Sequence, residues 1–329
     1  MKAQVLHQFG GVENFRLEEL PVPEPKPGYV RIRVKATSVN PVDYKIRRAG
    51  PPWAPDLPGV LGFDVAGIID AVGPGVEAFA VGDAVYGCAG SVRGETGADA
   101  EYMLADARLI AHKPASLDFP EAAALPLVTI TAWEALFDRA AIQPGQTVLV
   151  HGGAGGVGHV AIQLAAERGA RVFATVSSEE KARIVRELGA EDTINYRGEM
   201  VETYVRRLTD RVGFDVVLDA TGGSDLERSF EAARLNGQVV TIVSQYSADL
   251  GTMHRKGLSL HVVFMLIPLI HGVGRERHGE ILRQAAALAD KRRLRPLLDR
   301  ERFTLETLPQ AHTRLESGKA VGKVVVEVP

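Results

Sequence analysis

Thr147-Val148-Leu149-Val150-His151-Gly152-Gly153-Ala154-Gly155-Gly156-Val157-Gly158 is the stretch whose reading decides the fold. A short apolar run enters a glycine-rich turn. The turn opens a segment in which Val157, Val160, Ala161, Leu164 and Ala165 recur at helical spacing until Gly169 ends it. Gly153, Gly155 and Gly158 stand in the G-x-G-x-x-G spacing. Glycines there permit a tight turn and a backbone lying close to a diphosphate, while the new helix offers unpaired N–H groups and the positive end of its dipole. By itself such a turn says little. A strand before it and a helix after it point to dinucleotide binding.

Moving outward, apolar runs recur at 147–151, 171–176, 192–196, 215–221, 238–243 and 258–264, with helical patterns between them. Near-continuous Val/Ile/Leu strands joined by helices predict a parallel sheet covered on both faces, and six of them make the two halves of a Rossmann domain. The first 110 residues differ: they are punctuated by Pro and Gly and carry short β-rich runs at 30–39, 65–72, 84–86, 102–104 and 109–111. After residue 270 come a helix at 279–290 and a final strand at 323–328. These are expected to pack back on the β-rich domain, which makes it discontinuous: 1–122 with 268–329, around a Rossmann domain at 123–267. The ligand site is expected between the two. The fold class is therefore α/β, a six-stranded parallel Rossmann sheet plus a discontinuous β-rich domain.

Composition closes off other classes. A chain of 329 residues with 46% apolar and 24% charged residues has the balance of a soluble α/β protein. With 38 Lys and Arg against 41 Asp and Glu, a net charge of -3, no overall field draws in nucleic acid or an anionic membrane, and neither is an expected partner. The longest apolar run, 262–270, holds Pro268 and falls far short of the roughly 20 residues of a membrane span. The single cysteine, Cys88, excludes an intrachain disulfide and any zinc site of several thiolates. Together with an opening segment that has no apolar signal core, it places the chain in the cytoplasm by expectation.

Which dinucleotide binds depends on the end of the second Rossmann strand, where an acidic side chain would hold the ribose 2′-hydroxyl of NAD. That stretch reads Thr175-Val176-Ser177-Ser178, without a carboxylate, and Lys181 lies one turn into the next helix. NADPH is the favoured cofactor. The competing readings are that Glu179 or Glu180 reaches back to the ribose, or that these residues are a solvated helix start capped by Ser178.

With the loop placed, the whole chain resembles the medium-chain dehydrogenase/reductase superfamily. Gly62-Phe63-Asp64-Val65-Ala66-Gly67, followed by Gly73 and Val76, has the glycine and valine spacing of that superfamily's zinc-alcohol-dehydrogenase signature. Its His and Glu are Phe63 and Asp64 here, and Asn40 and Leu127 stand where cysteine ligands would be. No metal is expected. With Ser38-Val39-Asn40-Pro41-Val42-Asp43-Tyr44-Lys45, the pattern resembles the zinc-free quinone oxidoreductase branch, which includes alkenal and enone reductases. The resemblance implies a GroES-like catalytic domain beside the Rossmann domain. It also implies Gly156 and Val157 at the pyrophosphate, Ser177, Lys181 and Tyr196 around the 2′-phosphate, Thr131 and Ser244 on the nicotinamide side, and a looser reach by Lys319 or Lys323. A homodimer through the last Rossmann strand is implied as well.

Asn40, Tyr44 and Lys45 are the candidate catalytic residues, a polar cluster for a substrate carbonyl. The plainer reading has Asn40 as N-cap, Pro41 at the first helical position, Asp43 closing a capping box and Gly50 ending the helix, and the two readings coexist. Tyr44 either donates a proton or simply packs. Trp53 and Phe63 are the candidate pocket residues, Trp53 being either a lid or a loop anchor; Phe264 and Met265 are read as core. Without a metal to polarise an ordinary ketone, hydride transfer needs an electrophilic small molecule, a quinone or an α,β-unsaturated carbonyl. Enoyl-thioester reduction, weakened by Gly50-Pro51-Pro52-Trp53 where that family has a tyrosine, and a non-enzymatic crystallin-like role remain alternatives.

Overall fold

The structure, a computed structural model, describes residues 1–243 and 245–329. Ser244, expected on the nicotinamide side, lies outside the described residues. Two compact units are present, Met1–Ile130 with Leu266–Pro329, and Thr131–Met265.

The first unit begins with β1 (Lys2–Leu6), β2 (Phe15–Glu19), the long β3 (Tyr29–Val39), helix α1 (Pro41–Ala49), β4 (Gly59–Val60), β5 (Asp64–Val72), β6 (Ala84–Cys88), β7 (Tyr102–Asp106) and β8 (Ile110–His112). Two short helices follow, α2 (Phe119–Ala123) and α3 (Pro126–Trp133), the latter crossing into the second unit. The expected divide at 122/123 falls inside α2. Every residue of α3 except Trp133 is buried, so no polar linker marks the point of division.

The second unit comprises β9 (Thr147–His151), α4 (Gly156–Glu167), β10 (Arg171–Val176), α5 (Glu179–Glu187), β11 (Asp192–Asn195), α6 (Val201–Thr209), β12 (Phe214–Asp219), α7 (Asp225–Ala232), β13 (Ala233–Thr241), α8 (Gly251–Lys256) and β14 (Ser259–Val262). Its strands form one sheet in the order β11-β10-β9-β12-β13-β14, every neighbouring pair parallel. The order reverses between β10 and β12 on either side of β9, and β9 carries the glycine loop at its carboxyl end. That is where ligands sit in such sheets. Val148, Leu149 and Val150 have no exposed surface, as a central strand covered on both faces requires.

The chain then returns to the first unit through helices α9 (Ile267–His271) and α10 (Arg275–Asp290), strand β15 (Phe303–Thr304), helix α11 (Leu308–Glu316) and strand β16 (Val324–Glu327). The larger sheet there runs β15-β16-β3-β5-β6-β8, with β7 also paired to β3. Val30, Ile32, Val34 and Ala36 of β3 are fully buried, the inward half of a strand alternation. Register fixes what lies around the end of β3. Val39 pairs with Val324 of β16 on one side and Ser38 with Asp64 of β5 on the other, so Asn40 emerges between Lys323 and Asp64. The hairpin β1–β2 is missing from the sequence reading because its outer strand, Phe-Arg-Leu-Glu-Glu, is charged and mostly exposed. Among the described residues no helix is long and apolar enough to cross a membrane.

Candidate active site

The nucleotide end is built from backbone. Gly152 turns at a φ of 72°, a conformation that glycine adopts without strain. The Gly152 N–H donates to Thr175 Oγ1 at 3.0 Å and the Gly153 N–H to the Thr175 carbonyl at 3.1 Å, so the loop is laced to β10. A Cβ on Gly153 would stand 2.7 Å from Ala174 Cβ, and one on Gly158 2.2 Å from the Gly152 carbonyl oxygen. Side chains are therefore excluded where helix and strand approach. Gly155 is the N-cap of α4, and Gly155, Gly156 and Val157 keep part of their surface exposed at the helix entrance. The first-turn N–H groups have no intrahelical acceptor, and with the dipole they make an anion site. The loop fits a dinucleotide pyrophosphate.

At the carboxyl edge of the same sheet, Val176 of β10 pairs with Asn195 of β11, and the Tyr196 N–H donates to the Val176 carbonyl at 3.3 Å. Ser177 and Tyr196 thus leave two neighbouring strand ends together. Ser178 caps α5 by accepting the Lys181 N–H at 3.3 Å, which sets Lys181 in the first helical turn beside them. Tyr196 is exposed and the Arg197 guanidinium lies 6.0 Å from its ring centre. The reading of Ser178 as the N-cap of this helix holds. Glu179 is drawn away by Arg186 at 3.3 Å. The sheet interior behind the loop is also polar. Burial lowers the pKa of His151, against the pull of Asp219. Asp219 in turn accepts the N–H groups of Thr221 and Gly222 at 3.1 and 2.8 Å, shaping the next loop. Thr131 is buried in α3.

The helix α1 end is built from side chains. Asn40, Asp43, Asp64 and Lys323 are all buried. Asp64 Oδ2 accepts from Ser38 Oγ and Asn40 Nδ2, both at 2.8 Å, and from Lys323 Nζ at 3.3 Å, while Oδ1 accepts the Leu127 N–H at 2.8 Å. Lys323 Nζ also donates to Asn40 Oδ1. Asp43 closes the capping box on the Asn40 N–H at 2.8 Å, and Gly50 ends the helix at a φ of 55°. Burial pushes the Asp43 carboxyl up to about 7, with the Asn40 N–H opposing and the Asp64 charge adding to the shift. Burial also pushes up the Cys88 thiol.

Four expectations change here. Asn40 has no exposed surface, and its amide is bound to Asp64 and Lys323, so it presents no free donor to a substrate; it organises the helix start instead. Phe63 is likewise fully buried and belongs to the core, not to a pocket wall. Lys323 does not reach toward a phosphate, because β16 holds it in the first unit's interior against Asp64. Phe264, read as core, is 44% exposed, whereas Met265 is buried. Tyr44 and Trp53 are half-buried and Lys45 is exposed. The Tyr44 hydroxyl pKa is raised by burial and by Glu316, against Arg48, so Tyr44 keeps its proton at neutral pH. The Trp53 carbonyl accepts the Arg93 N–H at 3.0 Å, which makes it at least a loop anchor.

The residues that sequence reasoning undervalued are Asp64 and Lys323. Their signal was an isolated opposite charge inside each of two apolar runs, Phe63-Asp64-Val65 and Lys323-Val324-Val325-Val326. Buried charges of that kind are paired.

Residues 26–115 match the family described as alcohol dehydrogenase GroES-like domain, and 188–326 the family described as zinc-binding dehydrogenase. The second description raises the question of zinc, and the side chains answer it. Asn40, Phe63 and Leu127 offer neither thiolate nor imidazole, a lysine ammonium sits on the nearby carboxylate, and no group of three or more His, Cys, Asp or Glu among the described residues is placed to hold a metal. These residues do not fit zinc. The chain is 36% identical to the NADPH-dependent alkenal/one oxidoreductase, chloroplastic, of Arabidopsis thaliana, over 99% of this chain and 79% of that protein. It is 32% identical to the quinone oxidoreductase of Lama guanicoe, over 99% and 97%. A crystal structure of an alcohol dehydrogenase superfamily protein from Novosphingobium aromaticivorans superimposes with a TM-score of 0.95 at 41% identity, covering all of both chains. With its zinc positions filled by Asn40, Phe63 and Leu127, the chain belongs to the medium-chain dehydrogenase/reductase superfamily, as an oxidoreductase of the zinc-free branch that holds the quinone oxidoreductases and alkenal/enone reductases.

Proposed function

We propose that this protein reduces a quinone, or the C=C bond of an α,β-unsaturated carbonyl, with NADPH. The observation that carries the choice of cofactor is the cluster of Ser177, Lys181 and Tyr196, where two neighbouring strand ends bring two hydroxyls and the first turn of α5 brings a cation, with no carboxylate at the end of β10. A 2′-phosphate is the partner that cluster suits, and the relative from Arabidopsis is NADPH-dependent by name. Gly156 and Val157 hold the pyrophosphate through their N–H groups, and Thr131 faces the nicotinamide side. NADPH, when bound, supplies the hydride. Tyr44, protonated and half-buried, and Lys45, an exposed ammonium, act on the substrate oxygen, stabilising the negative charge that grows there. Asn40 serves them by fixing the first turn of α1.

The residue set explains why the substrate is electrophilic. Where zinc would polarise a simple ketone, this chain has Asn40, Phe63 and Leu127, and hydrogen bonding alone is sufficient only for an already activated acceptor. The proposed assembly is a homodimer through β14. It is the edge strand of its sheet, and Val262 at its end exposes about half of its surface.

The test is steady-state NADPH oxidation with quinones, enones, acyl thioesters and simple ketones. Turnover of quinones or enones is expected, with Tyr44→Phe lowering kcat by about 10²-fold at unchanged NADPH affinity. Reduction of simple ketones alone would overturn the assignment. Preference for an acyl thioester would favour enoyl-thioester reduction, and no turnover at all a crystallin-like role.

A further inference from the structure

We infer that Lys323 is a positioning residue whose ammonium, by bridging Asn40 and Asp64, anchors the start of α1. Two of the three positions at which a zinc ligand would be expected bind one carboxylate, and the third precedes it in the chain. Asn40 donates to Asp64 Oδ2 and Leu127 to Oδ1, while Phe63 is the residue before it in the chain. The cation that meets this carboxylate is Lys323, which bonds Asp64 and Asn40 together.

The group joins distant parts of one unit. Ser38 is the penultimate residue of β3, Asn40 starts α1, Asp64 begins β5, Leu127 lies in the first turn of α3, and Lys323 leads into β16, 283 residues beyond Asn40. Removing the ammonium would leave Asn40 Oδ1 without its donor and Asp64 without its counter-charge, in a region where each is wholly buried. The first turn of α1 would lose its anchor. Tyr44 and Lys45 follow within that helix, so their placement depends on a lysine that touches neither them nor the substrate. A hydrocarbon at position 323 fills the space but cannot bridge; an arginine keeps the charge.

The consequence for substrate rests on the reductase reading, whereas the effect on α1 does not, and the experiment separates the two. Hydrogen exchange of the backbone amides of Tyr44 to Gly50 is compared in wild type, Lys323→Met and Lys323→Arg. In Lys323→Met these amides should exchange about tenfold faster or more, with β9, β10 and β12 unchanged, and Lys323→Arg should recover part of the protection. Should Lys323→Met not fold, the double variant Asp64→Asn/Lys323→Met, which leaves no unpaired buried charge, is expected to fold and to show the same loosening of α1. Exchange in α1 equal to wild type, or a rise spread evenly over both units, overturns the inference. In turnover, KM for a quinone or enone should rise about tenfold or more, as expected when groups that position a substrate are displaced, with the NADPH dissociation constant unchanged. A wild type that turns over neither quinone nor enone refutes the reductase reading and leaves the exchange result to decide on Lys323.

Discussion

Two strand-to-helix turns can be compared directly in this molecule, from β9 into α4 and from β3 into α1. The first is all backbone: three glycines, a helix entrance with exposed N–H groups, and packing so close that a Cβ on Gly158 would overlap the Gly152 carbonyl. The second is built around side chains: Asn40, Asp43, Asp64 and Lys323 are buried and bound to one another. One turn leaves its donors for a ligand; the other uses them internally. A turn made to bind an anion keeps its hydrogen bonds unsatisfied until the ligand arrives, whereas a turn made to aim a helix must satisfy them within the fold.

The comparison is broken most severely at Asp64. Asp64→Ala removes the acceptor of Ser38, Asn40, Leu127 and Lys323 at once and strands a buried ammonium. Breaking a buried pair from one side costs about 3–5 kcal/mol, and urea unfolding should show a loss of that order. A loss below about 1 kcal/mol, the worth of an exposed pair, would mean that the α1 end is not the closed system described.

Asp43 gives the same region a pH signature. An ordinary aspartate titrates near 3.8, and burial pushes Asp43 up to about 7. Between those values the folded protein keeps a proton that the unfolded chain has released. The stabilisation is therefore complete below about pH 4, declines by up to about 1.4 kcal/mol per pH unit, and is gone above about pH 7. Asp43→Asn does not titrate and can still accept the Asn40 N–H. Its stability relative to wild type should increase from pH 4 to pH 7 and then level off. A flat difference across that window would refute the assignment.

At the other turn the measure is cofactor affinity. Gly158→Ala forces a Cβ to within 2.2 Å of a backbone oxygen, whereas Gly155→Ala meets the same atom at 3.1 Å. Overpacking of the first kind costs about 1–3 kcal/mol, so Gly158→Ala should weaken NADPH binding by about tenfold or more and Gly155→Ala by less. Fluorescence titration of both variants orders them, and the reverse order would show that close packing does not shape the loop.

The same contrast explains what the sequence made legible. The glycine loop and the six strands were readable because each depends on residues within a few positions of one another. Val148 to Val150 must be buried, Gly158 must lack a side chain, and Ser178 must cap the helix that carries Lys181. The α1 end depends on contacts across the chain. Asn40 looked like a cap and a substrate donor because its local neighbours allow both, and only the pairing of Val39 with Val324 reveals that Lys323 takes its oxygen. Phe63 looked like a pocket wall for the same reason. Periodicity cannot tell which apolar residue lines a cavity and which fills the core. The β1–β2 pair escaped because β2, at the edge of its three-stranded sheet, is charged and mostly exposed.

The smallest expected effect lies at Lys181, and it sharpens the comparison most finely. Its ammonium is partly exposed, on the first turn of a helix whose cap is Ser178, so its attraction for a phosphate is screened by water and salt. A charge-assisted hydrogen bond is worth about 1.5–3 kcal/mol when shielded, and at this exposure about 1 kcal/mol is the reasonable expectation. Lys181→Ala should therefore raise the dissociation constant of NADPH about fivefold and leave that of NADH unchanged, because NADH lacks the group that Lys181 addresses. The wild-type preference for NADPH should also fall as salt is raised, and the fall should be shallower in the variant. Equal losses for both cofactors would place Lys181 in the general support of the helix start. Equal or tighter binding of NADH by the wild type would remove the 2′-phosphate from the reading of Ser177, Lys181 and Tyr196 altogether, while leaving the pyrophosphate site at Gly156 and Val157 intact, since its N–H groups address an anion that both cofactors share.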